Sequence, residues 1–198
     1  MRSFTIIQDN REKKPLPFPK RIAVLDEGWP THLKTQIHDL VVVRKTIPEA
    51  DYLIEAAEGI ICPSVFGGLR ACPSVIIERK ASLLELSANL LRSRHRRERF
   101  REILSLMRAS WTYPILMVEG GLSTLYNPPL KWDLSVPPSA AVDALLRISC
   151  EQGVPVVPIQ SGTGKSRLQL GEHIARTLIN GTLTHGFRTQ GPGPQQPD

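Results

Sequence analysis

Asp51, Glu78 and Lys80 are the residues whose types and placement offer the most chemistry. Asp51 opens, and Glu78 closes, short runs of β-branched and large apolar residues that predict strands, and Lys80 follows Glu78 by two positions. Carboxylate oxygens are what a hard cation such as Mg²⁺ or Mn²⁺ selects. Such a cation neutralises charge developing on a phosphoryl group and lowers the pKa of bound water. Side chains alternate along a strand, so Glu78 and Lys80 share one side of a sheet and Arg79 takes the other. A lysine ammonium beside such a centre can orient a nucleophile or hold negative charge on a phosphate. Taken alone, Glu-x-Lys describes a solvated surface pair equally well. Asp9-Asn10-Arg11-Glu12 directly follows another predicted strand, a position where functional loops are common, although a charged loop there needs no function.

These groups have to be positioned by a folded domain, and 198 residues with 41% hydrophobic and 22% charged side chains suffice for one core. Residues 4–8, 22–25, 40–45, 51–56, 60–66 and 74–78 read as strands, with Gly67-Gly68 as a turn. The period then changes: Phe100, Ile103, Leu104 and Met107 fall on one helix face, and Leu83, Leu86, Leu90 and Leu91 form a similar stripe. Residues 82–108 are therefore helical, as one bent helix or two. Strand 114–119, helix 140–151, strand 154–159 and helix 165–180 follow. This order predicts an α/β domain over residues 1–187, a mixed central sheet with helices on both faces. The Gly-, Pro- and Gln-rich end, residues 188–198, is expected to be a disordered tail.

The motifs together, in order, resemble the XPF-type nuclease domain, also found in Hef-like and phage nucleases. The pattern Asp-x-Arg-Glu, Gly-Asp-Tyr, Glu-Arg-Lys reads here Asp9-Asn10-Arg11-Glu12, Ala50-Asp51-Tyr52 and Glu78-Arg79-Lys80. The resemblance extends through residues 15–19, Arg97-Glu98-Arg99-Phe100, Leu116-Met117-Val118-Glu119-Gly120 and the strand at 153–157, covering roughly residues 5–180. It implies the restriction-endonuclease-like PD-(D/E)XK fold and a metal-dependent endonuclease that cuts branched, flap or fork DNA in repair, recombination or phage DNA processing. On that reading Asp9, Glu12, Asp51 and Glu78 hold Mg²⁺ or Mn²⁺. Lys80 is the catalytic base or charge stabiliser, and Arg11 and Arg79 give supporting contacts. Three departures stand out: Ala50 replaces the glycine, the stretch from Asp51 to Glu78 is long, and the acid expected after Glu-Arg-Lys is displaced from Leu84 to Glu85.

A net charge of +6 and a pI near 9.5 favour an anionic partner. Arg92, Arg94, Arg96, Arg97 and Arg99 make a dense basic run whose guanidinium forks suit DNA phosphates without reading bases. An exposed helix with local pairs to Glu98 and Glu102 is the plainer reading of that run. The three cysteines have no zinc or disulfide spacing, and buried free thiols are expected. Gly162-Thr163-Gly164-Lys165-Ser166 has the look of a phosphate loop, but Ile159 stands where a P-loop needs glycine, so an ATPase is the weakest reading. No apolar run approaches the roughly 20 residues of a membrane span. A cytoplasmic protein is expected, in a bacterium or phage-infected cell, or a nuclear one in a eukaryote. A homodimer through the helices starting near Ala140 and Lys165 is a further expectation. The competing class is a noncatalytic DNA-binding scaffold that keeps the nuclease fold.

Overall fold

The computed structural model describes residues 2–12, 14–25, 35–55, 60–63, 69–70, 75–110, 113–128, 137–160, 164–185 and 187–188. The first half is β1 (Ser3–Asp9), β2 (Arg21–Leu25), β3 (Thr35–Lys45), β4 (Tyr52–Glu55), β5 (Ile60–Pro63), β6 (Leu69–Arg70) and β7 (Val75–Lys80). Then come α1 (Leu83–Leu90), α2 (Arg94–Ser110), β8 (Tyr113–Glu119), α3 (Gly121–Tyr126) and α4 (Pro138–Gln152). The chain continues with β9 (Val156–Ile159), α5 (Lys165–His185) and β10 (Phe187–Arg188).

Seven strands form the central sheet in the order β2-β3-β1-β4-β7-β8-β9. It is mixed: β1 runs parallel to β3 and antiparallel to β4, and β7 is antiparallel to β4 but parallel to β8. Alternation along each strand feeds two cores, one per face. On one face Ile6, Tyr52, Ile77 and Met117 pack with Ile174 and Leu178 of α5. On the other, Ile7, Leu53, Ile76 and Val118 pack with Leu83 and Leu86 of α1, Phe100 and Leu104 of α2, and Leu145 and Ile148 of α4. The expected α/β arrangement, helices on both faces of a mixed sheet, is what the chain adopts.

Several local readings are refined. The helical stretch is two helices: Ser93 Oγ accepts from Arg96 N at 3.3 Å, capping α2 after α1 has ended at Leu90. Residues 60–63 do not extend the central sheet; β5 joins β6 and β10 in a separate three-stranded sheet, which accounts for the length of chain between Asp51 and Glu78. Arg188, counted with the tail by composition, pairs with Ile60, while the rest of the tail and Gly67-Gly68 lie outside the described residues. The expectation of buried thiols fails at Cys150, which is an exposed free cysteine on α4; the side chains of Cys62 and Cys72 lie outside the described residues. The apolar stripes of α4 and α5, read as interface material, are spent on the two cores, leaving Leu146 and Leu168 exposed. Among the described residues no helix is long and apolar enough to cross a membrane.

Close approach of backbones explains one glycine. A Cβ built on Gly171 of α5 would stand 1.9 Å from the Pro17 carbonyl oxygen. In an exposed helix Gly→Ala is worth roughly 1 kcal/mol of stability. At Gly171 the clash should reverse that sign, and Gly171→Ala is expected to cost about 1–3 kcal/mol in urea unfolding. A gain in stability would show that α5 and the 14–19 segment do not meet as described.

Candidate active site

The register of β4 on β7 pairs Tyr52 with Ile77, which sets Asp51 and Glu78 opposite each other at the end of the sheet. Both project to the face covered by α1 and α2. Asp51 N donates to Ile77 O at 3.1 Å, and Asp51 Oδ2 accepts from Arg79 N at 2.8 Å. Lys80 Nζ lies 2.5 Å from Glu78 Oε1. Glu78 and Lys80 are only 6% and 9% exposed, so they are not the solvated surface pair that Glu-x-Lys alone would suggest. Ala50 is buried and no described non-glycine residue has positive φ, so the turn entering the site is built without the glycine's conformational freedom.

Electrostatics single out the same three groups. Burial, and then the Glu78 charge, push the Asp51 carboxyl well above its usual value. Burial likewise raises Glu78, with Lys80 opposing. For Lys80 burial alone would lower the pKa; the adjoining Glu78 carboxylate outweighs it and holds the ammonium protonated. The Lys80 ammonium also rests 5.3 Å from the centre of the Phe100 ring, so α2 supports it from beneath by a cation–π contact. A cleft of about 660 Å³ opens above these groups, lined by Arg11, Glu12, Asp51, Arg79, Lys80 and Glu85 among others.

Arg79 belongs to the opposite face of β7, as alternation requires. Its Nε donates to Glu119 Oε1 at 2.5 Å and its Nη1 to Glu12 Oε2 at 2.9 Å. The side chain thus clamps the loop after β1 to the end of β8, while its backbone N–H fixes Asp51. Gln8 and Tyr52 lie on this face too, Gln8 Nε2 donating to the Tyr52 hydroxyl at 3.4 Å, and burial pushes the Tyr52 hydroxyl up to about 12.

Two of the four carboxylates expected to hold a metal are paired with cations. Asp9 Oδ1 accepts from Ile47 N and Asp9 Oδ2 from Arg11 Nε at 2.8 Å; although burial opposes it, the Arg11 bond holds this carboxyl below its usual value. Glu12 is held by Arg79 and by Lys14 N. Among the described residues no three or more acidic, His or Cys side chains are grouped to hold a metal. What remains is the Asp51–Glu78 pair, in which Asp51 Oδ1 and Glu78 Oε2 have no hydrogen-bond partner among the described residues. That pair suits Mg²⁺, which is commonly bound through one or two carboxylates with water and substrate phosphate completing the shell. Arg11, paired with Asp9 and donating to Ile47 O, is a wall of the cleft, its charge felt by Asp51 and Glu78.

Two groups escaped the sequence reading of the site. Glu119 ends an apolar strand run as a lone carboxylate, a signal that marks it but not its partner. Glu85, noted only as a displaced acid, has a definite place: its Oε2 accepts from Ala81 N, its own N–H donates to Ser82 Oγ at 3.1 Å, and its Oε1 lies 3.9 Å from Lys80 Nζ. Its backbone is capped by Ser82 at the start of α1, its carboxylate reaches back to Ala81, and it is part of the cleft. Arg92, Arg94, Arg96, Arg97 and Arg99 are all exposed; Arg94 pairs with Glu98, whereas Arg96 and Arg97 stand one turn before Phe100 on its side of α2. Of the phosphate-loop-like run, Gly164 and Lys165 open α5, and Gly162 and Thr163 lie outside the described residues.

A family model for the ERCC4 domain matches residues 9–163. Among solved structures the chain is similar to XPF from Aeropyrum pernix, with a TM-score of 0.54 and 14% identity, over 98% of this chain and 69% of that one. No curated protein matches.

Proposed function

Since the chain belongs to the ERCC4 domain family, we propose that it is a metal-dependent, structure-specific DNA endonuclease whose centre is Asp51, Glu78 and Lys80. One observation carries this: a half-buried carboxylate at the start of β4 and a buried one on β7 face each other beside a lysine at an open cleft. The proposed substrate class, DNA with single-strand to double-strand junctions, is what the motif resemblance implies, and membership of the family supports it. A bound Mg²⁺ or Mn²⁺ would polarise the scissile phosphate and acidify a water. Asp51 and Glu78 would hold that ion. Lys80, kept protonated by Glu78 and steadied by Phe100, places a fixed positive charge at the cleft floor, where it stabilises negative charge on the phosphate. Arg79 binds no substrate in this scheme; it positions Asp51 and the loop carrying Glu12.

The direct test is cleavage of labelled flap, fork, single-stranded and duplex DNA in Mg²⁺, Mn²⁺ or EDTA. Cutting should require the metal, prefer junctions, and fall by about 10²–10³-fold in Lys80→Ala. Cutting that persists in EDTA would overturn the reading. A second reading, the noncatalytic DNA-binding scaffold, is favoured by the ion pairs that occupy Asp9 and Glu12. It requires binding without cutting, and a larger effect of Arg97→Ala and Arg99→Ala than of any change at Asp51. Homodimerisation and a location in the compartment that holds the DNA belong to the same proposal.

A further inference from the structure

A second cavity, of about 480 Å³, lies where α1, α2 and α4 meet, at the end of α1 remote from the cleft. Ser82 and Glu85 at the start of α1 line the cleft, whereas Leu90 and Leu91 at its end line the cavity. The floor is apolar, completed by Ile148, and the rim carries Arg97 and Arg101 of α2 and Arg147 of α4, against a single acid, Asp143. The fold neutralises these arginines only in part, through one pair at Arg101. Arg97 and Arg147 make no side-chain hydrogen bond or ion pair among the described residues, although Glu98 lies near Arg97. Arg101 Nη2 donates to Glu151 at 2.8 Å, but its Nε has no acceptor among the described residues.

We infer that this cavity is an accessory subsite for the phosphodiester backbone of a single-stranded DNA arm, an inference that rests on the nuclease reading above. Charge complementarity selects the occupant: three guanidinium groups around an apolar floor suit phosphates at the rim with sugar and base edges against Leu90, Leu91 and Ile148. Spacing agrees. The length of α1 is about 12 Å at 1.5 Å per residue. At about 3.4 Å per nucleotide along a stacked strand, that is roughly three or four nucleotides from the cleft. Arg97, at the α2 edge of the cavity, stands one turn before Phe100, which lies under Lys80, so both sites border the same stretch of α2. The subsite therefore ties the position of cutting to the presence of an arm long enough to reach it.

The test is fluorescence anisotropy in EDTA, so that no strand is cut, on forks with arms of two or ten nucleotides. Arg147→Ala, at an exposed position on α4, is expected to weaken binding of the ten-nucleotide fork about five- to tenfold and to reduce its salt slope by about one. The same variant should bind the two-nucleotide fork as the wild type does. Equal losses on both forks, no loss on either, or no DNA binding at all would each overturn the subsite. Arg147-dependent binding of a polyglutamate peptide with unchanged binding of both forks would also overturn it, in favour of an acidic protein partner. Failure of the nuclease reading is seen separately, as wild-type protein that binds either fork but does not cut it in Mg²⁺.

Discussion

Asp51→Asn should abolish cutting and at the same time make the metal-free protein more stable. The amide keeps an oxygen to accept the 2.8 Å hydrogen bond from Arg79 N but removes one of two facing, poorly solvated charges. Loss of that charge removes a ligand for the metal, and a fall in cleavage of about 10³-fold or more, roughly 4 kcal/mol of transition-state stabilisation, is expected. The stability gain follows from linkage. Both Asp51 and Glu78 have raised pKa values, so their contribution is fully present below the unfolded carboxylate pKa and is lost as pH rises through the folded values. Without metal the wild type should therefore lose stability over that rise, and Asp51→Asn should lose less. Adding Mg²⁺ should raise the wild-type melting temperature and leave the variant nearly unmoved. Thermal melts at several pH values, with and without Mg²⁺, check both halves; a variant less stable than the wild type at neutral pH would contradict the buried-charge account.

Arg79→Met is expected to do the reverse, damaging the fold first. The guanidinium is buried and bonded to Glu119, itself only 4% exposed, and to Glu12. Removing one member of such a group leaves buried carboxylates without compensation, at a cost of about 3–5 kcal/mol, a large part of the stability of a domain this size. Replacing all three groups together, Arg79→Met with Glu119→Leu and Glu12→Gln, should recover much of the loss. Urea midpoints for the single and triple variants measure this. If the single variant is too unstable to purify, the triple variant still reports whether the loss came from stranded charge. A single variant within about 1 kcal/mol of wild type would show that Arg79 is not a structural clamp.

The sequence revealed elements wherever burial imposes a period and lost them where it does not. Strands β1, β7 and β8 and helices α2 and α5 carry long apolar patterns, and were legible within a few residues. Helix α3 has six residues and follows Gly120, too short for a period to show. Strands β6 and β10 have two residues each and exist only because they pair with β5. The site divides in the same way. Glu78 and Lys80 are two residues apart, so strand alternation alone put them together. Asp51 was a candidate by type and strand placement, and the family's motif order tied it to them, because nothing in its spacing says that β4 lies beside β7. The partners of Arg79 are 67 and 40 positions away, and Asp9, at the end of β1, and Glu12, in the loop after it, serve different cations, Arg11 and Arg79. Spacing lists candidate charges; only pairing decides which of them remain available to a metal.

The division of Glu78-Arg79-Lys80 between the two faces of β7 also bears on how such a domain can change over generations. The charges that would do chemistry lie on one face and strain the metal-free fold; the charge that holds the sheet together lies on the other. A duplicated copy released from the requirement to cut DNA would gain stability from a neutral replacement at Asp51, while replacements at Arg79 or Glu119, or at Glu78 without Lys80, would be purged as unfolding. Drift therefore has a direction, toward a catalytically silent subunit that retains the clamp and the basic surface.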